Sequence, residues 1–142
     1  MKYTLEHLQD MPSSKLDSII AANILLWKRT SASPTVPAIS STWEGFGALI
    51  NHMRQIGYTI HMSAFEERHL RDLEKSKCFH DGVRRYSVNF IWVEPRAKHH
   101  KRKAGFCNDD RHEAYADDMP RAAAIAAILA RQYKRQLKTT KG

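Results

Sequence analysis

The chain has 142 residues, of which 23 are Lys or Arg and 15 are Asp or Glu, giving a formal charge of +8 at pH 7. That length suits one domain around one hydrophobic core and needs no covalent staples, and no apolar run approaches the roughly 18–20 residues that would cross a bilayer. Cys78 and Cys107 form no CxxC pair and the amino end lacks the order of a secretory signal, so reduced thiols and a cytoplasmic location are expected, with no membrane partner.

In chain order, residues 4–10 suit a short helical turn with Leu5 and Leu8 inward, stopped by Met11-Pro12. Ser13 or Ser14 can cap a helix over about 14–28, whose stripe is Leu16, Ile19, Ile20, Ile24 and Trp27. Residues 29–41 hold Ser31, Ser33, Pro34, Thr35 and Pro37 without a period, as a surface connection would. Ser41 followed by Glu44 reads as a reciprocal capping pair that opens a helix over 42–56. Trp43, Phe46, Leu49, Ile50, Met53 and Ile56 make its apolar stripe, and Gly57 closes it.

The period then changes from about 3.6 to 2. Over 58–65, Tyr58, Ile60, Met62 and Ala64 alternate with Thr59, His61, Ser63 and Phe65, which predicts a half-buried strand. Residues 66–83 form a charged excursion, either a decorated surface insertion or a functional loop, with His80-Asp81-Gly82 as a turn. A second strand over 84–94 places Tyr86, Val88, Phe90 and Trp92 on one face and Ser87, Asn89, Ile91 and Val93 on the other. A basic loop follows at 95–105, then a short strand at about 112–116, with Asn108 to Asp110 read as a turn before it. Asp117 or Asp118 caps a last helix over 119–138, with Pro120 in its first turn. Alanines 122, 126 and 130 would allow close approach beneath it. The expected fold is α+β: one domain with two to three antiparallel strands packed by three main helices.

This order of parts resembles the phage ABA sandwich domain, a family of small bacteriophage-encoded proteins. The resemblance rests on "TWEGFGALINHMRQIG", "YTIHMSA", "RYSVNFIWVE" and "ADDMPRAAAIAAILA". It implies an α-β-α sandwich in a phage or prophage accessory protein, and it carries over no functional residues. A sheet covered on both sides should be apolar on both faces, whereas Thr59, His61, Ser63, Ser87 and Asn89 make one face polar. That face is either partly covered or lines a site.

Three candidates for function follow. The run Arg96, Lys98, His99, His100, Lys101, Arg102 and Lys103, with Arg84 and Arg85 before the second strand, is a candidate anion-binding set, its bland alternative being a solvated hairpin end. His61 and Ser63, two apart on a strand, with Asn89 opposite, could form a small polar site, although such residues are often simply hydrated. A metal set drawn from His99, His100, Cys107, Asp109, Asp110 and His112 lacks any ligand spacing, so no metal and no cofactor are expected. No Gly-rich phosphate loop, GxSxG or HExxH occurs, which argues against an enzyme. The expected activity is non-catalytic binding of nucleic acid or a nucleotide. The alternative is a protein-interaction module that blocks a host factor in an anti-defence role, and a homodimer is also open.

Overall fold

The computed structural model describes residues 2–65, 85–92 and 110–141. Among these described residues, four helices and three strands appear in the order α1 (Leu5–Gln9), α2 (Ser13–Asn23), α3 (Trp43–Gln55), β1 (Tyr58–Ala64), β2 (Tyr86–Trp92), β3 (Asp110–Ala116) and α4 (Met119–Lys141). The excursion at 66–83 and the basic loop at 95–105 lie outside the described residues, as do the expected strand ends at 84, 93 and 94.

The three strands form one antiparallel sheet in the order β1-β2-β3 with helices packed against it, so the α+β class expected from the period changes is what forms. Tyr58, Val88, Phe90, Ala114 and Ala116 occupy one face and join the helical core, where Tyr58 meets Phe90 and Trp92 edge-on. Asp118 caps α4 by accepting the Arg121 N–H at 2.8 Å. From Ala122 to Ala127 every side chain of α4 is fully buried, and six successive residues at 100° each sweep the whole circumference. The middle of this helix, from Ala122 to Ala127, is therefore apolar all round rather than striped. The helix lies against β2 and β3 and against α1, α2 and α3.

Several local expectations are corrected. The α2 helix ends at Asn23 rather than near 28. Leu25 and Trp27 N–H groups reach back to Ile20 O (2.9 Å) and Ala21 O (2.7 Å), and Leu26 takes φ +54°. This widened turn returns Leu25 and Trp27 to the core and leaves Leu26 outside, in a left-handed conformation that costs a branched side chain about 1–2 kcal/mol. The cap of α3 is Thr42, not Ser41, with its hydroxyl accepting from Gly45 N–H at 3.0 Å. The third helical position is then Gly45, which has no side chain to reciprocate, so Glu44 completes no capping pair. Trp43, placed in the core stripe by spacing, is 66% exposed and meets Phe46 edge-on. The third strand begins at Asp110, through what reads as a turn.

The connection between α2 and α3 is not wholly on the surface, because Ile39 and Ser40 are buried. Asp17, on the inner side of α2, accepts hydrogen bonds from Ile39 N–H (3.1 Å) and Ser40 N–H (2.7 Å). One carboxylate oxygen thus satisfies two backbone donors that would otherwise be buried alone. Immediately downstream, a Cβ on Gly45 would overlap Ala38 O, so α3 can cross this segment only as glycine. Removing the Asp17 carboxylate strands both N–H groups. Asp17→Ala should cost about 3 kcal/mol and Asp17→Asn clearly less, since the amide keeps one acceptor; urea unfolding of the two variants measures the difference.

Candidate functional site

The face of the sheet turned away from the core is built by strand alternation. His61 of β1 pairs with Asn89 of β2, and Asn89 with Glu113 of β3. The next row toward one end is Ser63, Ser87 and Tyr115, and the row toward the other is Thr59, Ile91 and Arg111. The sequence-derived trio His61, Ser63 and Asn89 is therefore brought together on one face, with His61 directly opposite Asn89 and Ser63 one row away. Glu113, Tyr115 and Arg111 were missed. Their alternation with His112, Ala114 and Ala116 was the available signal, and Glu113 and Tyr115 already fell within the strand expected at about 112–116.

The centre of this face is dry although it lies outside the core cluster. Ser87 is 5% and Ile91 6% exposed, while Thr59, His61 and Ser63 on β1 and Arg111 and Glu113 on β3 are exposed. Asn89 Oδ1 is buried and accepts no hydrogen bond. An unmet acceptor of this kind costs about 1–3 kcal/mol. The Tyr115 hydroxyl donates to the Glu113 carboxylate two residues earlier on the same face. Burial first, then that hydrogen bond and the adjacent negative charge, hold the Tyr115 phenol well above its ordinary range, so it stays a neutral donor.

His61 and Glu113 stand two strands apart, about 10 Å at the usual strand spacing, too far for one proton to pass directly. Among the described residues no group of three His, Cys, Asp or Glu could hold a metal ion. Of the metal set read from sequence, His112 lies on the opposite, core-side face of β3, half-buried in the row of Ile60 and Phe90, and cannot join the polar trio.

The anion-binding set is split. Arg84, Arg96, Lys98, His99, His100, Lys101, Arg102 and Lys103 lie outside the described residues. Their attachment points do not: Trp92 and Asp110 face one another, so residues 93–109 join the sheet at one end, next to Arg111. Arg85 is exposed and precedes β2 at the other end, beside Phe65, about 20 Å away along the strand. Arg85 and the anchors of the basic run are thus at opposite ends of the sheet.

Comparison with protein-family models, curated proteins and solved structures gives no match.

Two substitutions test this description of the face. Asn89→Val replaces an unmet buried acceptor by a strand-forming side chain and should be neutral or stabilising by about 1 kcal/mol in urea unfolding. For Tyr115 the phenol is raised in the folded chain, so its contribution is complete below the unfolded value near pH 10 and declines as pH rises beyond it. The stability advantage of the parent over Tyr115→Phe should therefore shrink above about pH 10, read from thermal midpoints between pH 8 and roughly 11.

Proposed function

We propose that the chain is a non-catalytic binding module for an anionic partner, a nucleic acid or a nucleotide, in the setting of a small phage or prophage accessory protein. The observation that carries this reading is the concentration of charge: Arg96, Lys98, Lys101, Arg102 and Lys103 fall within eight residues of a chain that is already +8. Cations so close together neutralise successive phosphates and release their counterions, a gain that depends on salt and not on sequence. The anchoring of this run beside Arg111 supports the reading, because a rigid antiparallel pair then carries both ends of the cationic segment. So does the polar face one row further in, whose hydroxyls, imidazole and amide suit hydrogen bonds to a ligand edge. The phage setting rests on the resemblance in the order of elements alone.

Fluorescence anisotropy with labelled DNA and RNA, single- and double-stranded, at about 50 and 200 mM salt tests the nucleic-acid form. Affinity should fall steeply with salt. Replacing Lys101, Arg102 and Lys103 by alanine should weaken binding and lower the slope of log K against log salt by roughly 3. The nucleotide form is read by thermal shift, where a ligand at a hundred times its dissociation constant adds about 2.7 kcal/mol. Absence of binding to every one of these probes at low salt overturns the proposal.

A further inference from the structure

The outer edge of β1 carries an inference independent of the basic run. Edge strands are usually guarded by lysine, proline, a bulge or a covering element, because their outward N–H and C=O groups template further pairing. From Thr59 to Ala64, β1 contains no lysine and no proline, and it pairs with β2 residue for residue without a bulge. Among the described residues no strand pairs on its far side. Past Ile60 its side chains are exposed on both faces, and Met62, on the face that elsewhere makes the core, is 47% exposed.

The phase of the ladder says which backbone groups this edge offers. Phe65 N–H donates to Arg85 O at 2.9 Å, and backbone groups in an antiparallel pair alternate inward and outward. Thr59, His61 and Ser63 therefore turn their groups toward β2, and Ile60 and Met62 turn theirs out. A second antiparallel strand would form its hydrogen-bonded pairs at Ile60 and Met62 and would place His61 in a wide, non-hydrogen-bonded pair.

We propose that the occupant is a second copy of this chain, joined through β1 about a two-fold axis at His61 into a six-stranded sheet. His61 is the middle residue of the seven in β1, so this axis pairs the strand over its full length. It sets Ile60 against Met62 of the other copy on the apolar face, and Thr59 against Ser63 on the polar face, each with its own kind. The exposed Met62 then gains an apolar neighbour. The axis also disposes of the electrostatic objection to pairing two chains of +8: the strands run in opposite directions, so the attachment points of the two basic runs lie at opposite ends of the joined sheet. A contact of one strand pair is small, so the dimer forms over a range of roughly 10–100 μM protein and tightens as salt screens the charge.

Sedimentation equilibrium of the whole chain across that range, at low and high salt, should show the 16.4 kDa chain doubling its mass. His61→Lys changes only an exposed side chain and sets two fixed charges against each other at the axis, so it should return the chain to a monomer with its circular dichroism intact. A cysteine at the axis reports register. In a Cys78→Ser, Cys107→Ser background, His61→Cys should form a disulfide-linked dimer under mild oxidation, because Cα atoms in a wide pair are about 4.5 Å apart. Thr59→Cys alone should not, its partner being Ser63. A monomer under all conditions overturns the proposal, and so does a dimer that survives His61→Lys and is not linked through His61→Cys.

Discussion

The structure depends on one helix having almost nothing but methyl groups around its middle turns. In α4, Ala122, Ala123, Ala124, Ala126 and Ala127 are buried on all sides, with Ile125 and Ile128 filling the wider gaps. Small side chains let the sheet approach from one side and the other helices from the rest, which one striped helix could not do. Its start is held by Arg121, whose guanidinium donates to Gln9 O (2.9 Å) and Met11 O (2.6 Å) and so fixes the corner between α1 and α2. Further along, Gln132 takes the Tyr3 N–H at 2.7 Å and gives its own to Tyr3 O at 2.6 Å. The amino-terminal residues are thereby strapped to the element formed last in the chain.

A second constraint sets where α3 begins, and through it where the sheet begins. Asp17 holds Ile39 and Ser40, Thr42 caps the helix, and Gly45 lets it pass over Ala38. At the other end of α3, Gly57 takes φ +114°, where a Cβ would come within 2.8 Å of the Trp92 ring. A glycine is required there for the backbone angle and for the space. The helix therefore hands the chain to β1 at a fixed position beside the end of β2, and the row containing His61 and Asn89 follows from that register.

The polar face combines a dry centre with a wet rim. Its central strand contributes Ser87, Asn89 and Ile91, all poorly reached by water, and its edge strands contribute groups that remain in solvent. Such a face resists deformation because it is carried on a paired sheet. The described residues that flank the basic run, Trp92 and Asp110, are paired at one end of this face.

The order and type of the main elements were legible in the residues. Periods near 3.6 and 2 are set by local geometry, and the change at Gly57 marks the boundary between them. The trio His61, Ser63 and Asn89 was legible for the same reason, since side chains two apart on a strand share a face wherever the strand lies. Tertiary structure alone decided the rest. The polar surroundings of Asp17 are supplied by backbone donors 22 and 23 residues away, and no local pattern announces them. Trp43 had the right spacing for the core, yet the core does not extend beneath the first turn of α3, because burial requires an opposing surface as well as a stripe. Glu113 and Tyr115 fell in a strand the residues predicted, but they acquired their place on the polar face only when β3 paired with β2, an association of segments distant in sequence.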